Sequence, residues 1–173
     1  MDFRKCDTNR SGRNLSKEAF SALFDRYFTR LTEWSLDGNV FSTDFTVPFA
    51  WANRQVLFHL GWASGDYELR VNGRPAACNA DGNTPAEFNL TKLTKEGRNS
   101  LEIVVAQPSP TAPLESWKEA SRPAIGGAWV MSQPTLHIRD VITRTRLAED
   151  GSATAEVAVV LKSDALNPRT SRI

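Results

Sequence analysis

The dipeptide Asn72-Gly73 is the feature that most constrains the fold of this chain. It follows the stretch Tyr67-Glu-Leu-Arg-Val71, whose alternate residues are apolar and would share one face of an extended strand. Asn-Gly is the preferred central pair of a type I′ turn, because both positions of that turn need positive φ. The sequence therefore predicts a tight hairpin, with a short return strand over 76–79, and hence antiparallel β structure.

Further strands are predicted wherever apolar residues alternate or form short runs that end at Pro, Gly or Asn. These segments are 40–47, 55–60, 86–90, 100–106, 128–131, 136–147 and 153–161. Short strands separated by frequent turns are typical of an all-β sandwich. The sequence has no glycine-rich phosphate loop between a strand and a helix, and no βαβ alternation.

One segment has a helical period instead. Over 16–31 the apolar residues recur at spacings of three and four, which predicts an amphipathic helix; they are Ala19, Phe20, Leu23, Phe24, Tyr27, Phe28 and Leu31. Ser16 is a suitable N-cap for it. We expect this helix to dock on the core, and the alternative is a helix that binds a partner.

The charge balance excludes several classes of partner. Lys and Arg number 21 and Asp and Glu number 20, so the net charge is +1, and we expect neither nucleic-acid nor membrane binding. No segment approaches the roughly 20 apolar residues that span a bilayer. The first residues lack the apolar run of a signal peptide. The predicted location is therefore periplasmic or extracellular if a signal peptide was removed from a longer precursor, and cytoplasmic otherwise.

Metal and cofactor sites are not predicted. Cys6 and Cys78 are far apart in the sequence and form no metal-binding pattern, although a disulfide between them is one alternative. His59 and His137 each lie in an apolar strand without a neighbouring cysteine. Such histidines are more often hydrogen-bonded strand residues than ligands.

Four segments in a fixed order carry a family resemblance. They are Gly61 to Arg74 with its Val-Asn-Gly, Asp81 to Thr91 with Pro-Ala-Glu-Phe, Lys95 to Val105 with Lys-Glu-Gly-Arg-Asn, and Pro134 to Val141. This series resembles the N-terminal sugar-binding domain of glycoside hydrolase family two, the β-galactosidase and β-glucuronidase family. There, a Val-Asn-Gly-Lys strand leads through a loop to a Pro-(Ala or Ser)-Glu-Phe segment, followed by a Lys-Glu-Gly-Glu-Asn turn.

The resemblance implies three regions. Residues 1–33 would form an N-terminal extension with the helix, 34–134 a jelly-roll sugar-binding-like domain, and 135–173 the first strands of an immunoglobulin-like sandwich. In the family the two catalytic carboxyl groups lie in a barrel domain further along the chain. A barrel of about 250 residues does not fit into 173, and hydrolysis needs that carboxyl pair. We therefore expect no catalytic residue here, a parent glycosidase, and its remaining domains as partners.

The same resemblance implies candidate contacts with sugar. The family lends an Asp or Asn from the turn before the Val-Asn-Gly strand, and Ser64 or Asp66 stands nearest here. It lends another Asp from a Pro-rich region, where Glu119 and Glu115 lie in this chain. Trp62 and Trp117 lie in a turn and a loop, where an exposed indole can stack on a pyranose. The alternative for both is packing in the core or at a domain interface.

The loop after the hairpin has two interpretations. Asp81-Gly82-Asn83 is suited to turning the chain, because these residues cap their own backbone and tolerate positive φ. Alternatively, Asn79, Asp81 or Asn83 contacts a sugar. For the whole chain, the main hypothesis is a non-catalytic region that supports a glycosidase barrel. The alternatives are a stand-alone carbohydrate-binding module and a structural or interaction domain.

Overall fold

The computed structural model describes residue 22 and residues 25–106 and 122–164. Within these ranges the chain forms eleven strands and one short 3-10 helix, Phe49–Trp51. The strands are β1 (Phe28–Arg30), β2 (Ser35–Asp37), β3 (Val40–Val47), β4 (Arg54–Ala63), β5 (Tyr67–Val71), β6 (Arg74–Asn79), β7 (Ala86–Asn89), β8 (Gly97–Val105), β9 (Ile125–Pro134), β10 (Leu136–Leu147) and β11 (Ala153–Ser163).

Two antiparallel sheets form the main body. Sheet I has the strand order β1-β9-β4-β7, and sheet II has the order β2-β3-β8-β5-β6. The inward-facing side chains of both sheets form one buried cluster, to which sheet I contributes Val56, Phe58, Leu60, Ala128 and Val130 and sheet II contributes Phe41, Phe45, Leu69, Val71, Leu101 and Ile103. This arrangement confirms the predicted β-sandwich.

The predicted hairpin is confirmed in detail. Val71 pairs with Arg74, so the connection has two residues. Asn72 and Gly73 have φ values of 52° and 72°, as a type I′ turn requires. The Asn72 side chain also donates to the carbonyl of Leu93 at 2.9 Å and to Asn99 Oδ1 at 2.9 Å. This turn therefore connects two strands and also ties the adjacent 93–99 segment to sheet II.

The predicted helix over 16–31 is wrong at its C-terminal end. Residues 16–21, 23 and 24 lie outside the described residues, and Arg26 donates to the Ala22 carbonyl at 3.3 Å in a helical pattern. The chain then turns, and Phe28–Arg30 becomes β1 at the edge of sheet I, paired with β9. Two contacts hold the turn: Trp51 Nε1 donates to the Arg26 carbonyl at 3.0 Å, and the Arg54 guanidinium lies 4.1 Å from the centre of the Tyr27 ring. These contacts with distant residues outweigh the local period.

β10 and β11 form a separate two-stranded ribbon, which pairs with neither sheet in the described residues. One of its faces is apolar along its length, because the cross-strand pairs there are Val141 and Val159, Thr143 and Val157, Thr145 and Ala155, and Leu147 and Ala153. Val157 is 57% exposed and Leu147 is 79% exposed. We call this surface the apolar face of the ribbon.

Two further observations concern the described ranges alone. None of the helical segments there has the length and apolar character needed to cross a bilayer. The Cys78 thiol is free and exposed on β6, whereas Cys6 lies outside the described residues. No disulfide therefore contributes to the structure of the described sandwich.

Candidate functional site

The candidate site lies at one end of the sandwich, where the 61–66 turn meets the 79–84 loop. We call this region the loop end. The backbone of Ala63 donates to the Gly82 carbonyl at 2.7 Å and so joins the two segments. A Cβ on Gly82 would lie 2.6 Å from the Ala63 oxygen, so only glycine permits this close approach.

Trp62 points outward because the alternation of β4 changes at Gly61. The core side chains of this strand are Val56, Phe58, Leu60 and then Ala63. Gly127, with φ of 66°, lies opposite the change, and a Cβ on Gly61 would be 3.2 Å from the Gly127 Cα. The Trp62 indole lies over Gly126 and remains 44% exposed. An aromatic surface is therefore available at the loop end.

Ser64 and Asp66 are both engaged by the backbone. Ser64 donates its N–H to the Ala124 carbonyl at 2.8 Å and accepts the Ala124 N–H on its hydroxyl at 2.9 Å. The Asp66 carbonyl accepts the Ala106 N–H at 2.7 Å. Ala106 and Ala124, on either side of residues 107–121, therefore both lie beside this turn. Trp117 and Glu119 belong to the intervening segment and lie outside the described residues.

The polar side chains of the 79–84 loop bond mainly to the loop itself. Asp81 accepts the N–H groups of Asn83 at 3.1 Å and Thr84 at 3.3 Å, and the Thr84 hydroxyl at 2.5 Å. Asn79 accepts the Asp81 N–H at 3.0 Å and donates to the Tyr67 hydroxyl at 3.1 Å. These contacts favour the turn interpretation of the loop over direct sugar contact by Asp81.

Tyr67 is a residue of this region that the sequence did not single out. Burial raises the pKa of its phenol above the ordinary value, the hydrogen bond from Asn79 lowers it, and the nearby Asp81 carboxylate raises it. The phenol, Asp66 and Asn79 line a cavity of about 330 Å³. Alternation within β5 predicted only that Tyr67 faces the core, and no local signal marked its hydroxyl.

The chemistry available at the loop end is recognition by an aromatic surface and polar groups. Trp62 lies near the end of β4 rather than in the predicted turn, and Ser64 and Asp66 follow it in the connection to β5. Asn79 and Asp81 come from the neighbouring loop. Across the described ranges, His, Cys, Asp and Glu form no group of three that could hold a metal ion. An exposed indole beside polar groups suits either a pyranose or a neighbouring protein surface.

No family model matches the chain. It is 27% identical over 138 residues to a β-galactosidase of Yersinia enterocolitica, a match that covers 77% of this chain and 13% of that protein. A β-galactosidase of Yersinia pestis is 28% identical over 131 residues, covering 73% of this chain and 12% of that protein. The chain thus spans about an eighth of the length of these curated relatives.

Solved structures share the fold at lower identity. A β-glycosidase from Bacteroides vulgatus superposes with a TM-score of 0.55 and 18% identity, covering 74% of this chain and 16% of that chain. A β-glucuronidase from an uncultured Clostridium gives a TM-score of 0.54 and 17% identity, covering 72% and 24%. Relatives and structures together confirm the predicted resemblance, so over about three quarters of its length this chain is similar to one part of the glycosidases of glycoside hydrolase family two.

Proposed function

We propose that this chain is the non-catalytic N-terminal β-sandwich region of a β-galactosidase-like family-two glycosidase. Its role is to support a catalytic barrel that lies elsewhere in a longer polypeptide. The observation that carries the proposal is the match to 12–13% of much longer β-galactosidases over most of this chain. In this proposal sheets I and II form a jelly roll.

The ribbon supports the same proposal. A two-stranded hairpin is at best marginally stable in water, and the apolar face of this ribbon has no cover in the described residues. Strands that follow in a longer polypeptide would cover it and complete an immunoglobulin-like sandwich. In this proposal the ribbon is the start of the second domain, and residues 34–134 are the first.

The loop end would then face the barrel and help to wall the substrate pocket. Trp62 supports this role because a 44% exposed indole held over a glycine is a costly surface to leave in water. Ser64 and Asp66 lie in the same turn. Trp117 and Glu119 lie in the segment that starts and ends beside it.

The nucleotide sequence after codon 173 tests the proposal. We expect several hundred further codons that encode a barrel with two catalytic carboxylates. The full product should hydrolyse nitrophenyl β-galactoside, and the same product without residues 34–134 should lose most of that activity. The isolated 173-residue chain should be inactive. A frame that stops soon after Ile173, or hydrolysis by the isolated chain, contradicts the proposal.

A second candidate function is a stand-alone carbohydrate-binding module that uses the loop end. The exposed surface of Trp62 is the observation that favours it. Titration calorimetry of the chain with galactosides and glucuronides tests it. Binding at a Kd on the order of 1 mM or tighter, lost in Trp62→Ala or in Trp117→Ala, would support a module. Absence of heat leaves the supporting role.

A further inference from the structure

A second surface with binding chemistry lies away from the loop end, on the outer face of sheet I. Leu57 follows Val56 and precedes Phe58, both of which belong to the core cluster, so its side chain points to the opposite face. It is nevertheless only 5% exposed. Leu57 therefore forms the floor of a depression on the outside of the sandwich.

The wall on the side of sheet I is polar. Gln133 on β9 is in register with Gln55 on β4, and Asn89 on β7 is in register with Leu57. Opposite residues in a sheet lie about 5 Å apart and second neighbours along a strand about 7 Å apart. The three amide side chains and the Glu87 carboxylate therefore surround the apolar floor at short range.

The other wall is the base of the ribbon, which contributes residues 137–140 and Lys162 to a cleft of about 510 Å³. Three contacts fix this base. Asp164 donates its N–H to the Thr135 carbonyl at 2.8 Å, Lys162 Nζ lies 3.2 Å from Asp164 Oδ1, and the Gln55 side chain is close enough to the Asp164 carboxylate to help lower its pKa. The base of the ribbon therefore lies beside Gln55 of sheet I and faces it across the cleft.

Several polar groups of the cleft have no protein partner in the described residues. Asn89 uses its side-chain oxygen to accept the Thr91 N–H at 3.1 Å and the Thr91 hydroxyl at 2.6 Å, which leaves its amide N–H groups without a partner. The side chains of Gln133, Glu87 and Arg139 also line the cleft without a hydrogen bond or ion pair there. A ligand could therefore bond to these groups without breaking any hydrogen bond within the protein.

The charges of the cleft identify the class of ligand. Lys162 is paired with Asp164, and Glu87 and Asp140 together outnumber Arg139 by one carboxylate, so the cleft does not attract an anion. Amide groups donate and accept, which matches the hydroxyl groups of a polyol, and the apolar floor suits a C–H face. We propose that this cleft binds a neutral pyranoside or short neutral oligosaccharide. This site is separate from the loop end and does not depend on the proposed function.

Nuclear magnetic resonance titration of the full ¹⁵N-labelled chain tests the proposal. Methyl β-galactopyranoside and lactose are the neutral probes, and sodium glucuronate is the charged comparator. We expect saturable shifts confined to the amides of β4, β7, β9 and residues 137–140, with a Kd on the order of 1 mM. Glucuronate should bind no more tightly than the neutral probes.

Two variants assign the shifts to the cleft. Asn89→Ala combined with Gln133→Ala should weaken binding about tenfold or more, because each removes a hydrogen-bonding group from the wall. Arg74→Ala, at an exposed position of β6 in sheet II, should change the Kd less than twofold. No saturable shift up to about 100 mM sugar, an unchanged Kd in the double variant with a native spectrum, or a preference for glucuronate above tenfold would each overturn the proposal.

Discussion

Single side chains at the loop end divide into those that hold the turn and those that remain for recognition. The Ser64 hydroxyl and the Asp81 carboxylate accept backbone N–H groups that would otherwise be unpaired. Substituting either residue would leave a backbone N–H without its acceptor, so the main expected effect is a loss of stability rather than a loss of ligand binding. The indole of Trp62 makes no such bond and is the most accessible part of the turn.

The sequence could predict the composition of this site but not its orientation. Glycine, serine and aspartate in 61–66 indicate a turn, and Trp62 was expected to be either exposed or packed. Its outward position results from Gly61 and Gly127, which meet across two strands. Residues more than 60 positions apart define this contact, and no local period contains that information.

Gly82 should be intolerant of substitution for a steric reason. In Gly82→Ala the new Cβ meets the Ala63 carbonyl oxygen, which belongs to the backbone and cannot rotate away. We expect a loss of about 2–3 kcal/mol in the free energy of unfolding, the upper part of the usual range for overpacking, because the atoms that the Cβ meets belong to the backbone. Urea unfolding monitored by tryptophan fluorescence measures it.

The matched control is Gly73→Ala, where a Cβ meets nothing within 4 Å but φ is 72°. There only the conformational cost of a left-handed residue applies, about 1–2 kcal/mol. Equal or smaller losses for Gly82→Ala would contradict the close approach of the two loops.

The Tyr67 phenol should titrate above the ordinary tyrosine range. The chain has two tyrosines, so Tyr27→Phe leaves Tyr67 as the single ionising phenol in an alkaline absorbance titration at long ultraviolet wavelength. Because burial raises its pKa in the folded state, Tyr67 contributes stability that is present below the unfolded pKa of about 10. That contribution is lost as the pH rises through the folded pKa.

Two neighbours of Tyr67 should move this pKa in opposite directions. Asn79→Ala removes the hydrogen bond that lowers the pKa, so the pKa should rise further. Asp81→Asn removes the carboxylate that raises it, so the pKa should fall. Shifts in the same direction for both variants, with the fold intact, would show that the loop is not positioned as described.

At the scale of elements, strands with a clear period of two were predictable and contact-dependent ones were not. The predictions over 40–47 and 136–147 coincide with β3 and β10. In β3 the alternation records which face is buried, whereas β10 has an alternating sequence but an exposed apolar face. The prediction for Phe28–Arg30 was wrong because these residues also fit the helical period of the 16–31 segment. Only pairing with β9 on a distant segment makes that piece a strand.

The ribbon should behave as a weakly stable element beside a stable one. Val157→Lys together with Val159→Lys places two charges on its exposed apolar face. We expect the free energy of unfolding of the sandwich to change by less than about 0.5 kcal/mol, while light scattering at high concentration falls because the exposed apolar area shrinks.

A control on the other face of the ribbon is Ile142→Lys, next to the Arg144 and Glu156 pair, where scattering should change less. Hydrogen exchange gives an independent measure. Amides of β10 and β11 should exchange well before those of β4 and β8. Equal protection of the ribbon and of sheet I would mean that the apolar face is covered in solution.

At the scale of the whole molecule, the described residues form a sandwich with its own buried core and a two-stranded ribbon that pairs with neither sheet. Every residue of the buried cluster lies between Leu31 and Val130. The ribbon touches the sandwich at its base, through Asp164 and the Gln55 side chain. Burial of apolar side chains is the main source of stability, so this distribution predicts where the molecule can be divided.

A variant that ends at Pro134 should therefore remain folded. It keeps all strands of both sheets and the complete buried cluster. We expect its free energy of unfolding in urea to lie within about 1 kcal/mol of that of the full chain, with the same β-type circular dichroism per sandwich residue.

A variant that ends at Ala124 is the control, because it lacks β9, which lies between β1 and β4 and carries the fully buried Val130. Loss of that strand removes a central pairing of sheet I, so the control should fail to fold. If the Pro134 variant also fails, the ribbon contributes to the core, and the division at this point is wrong.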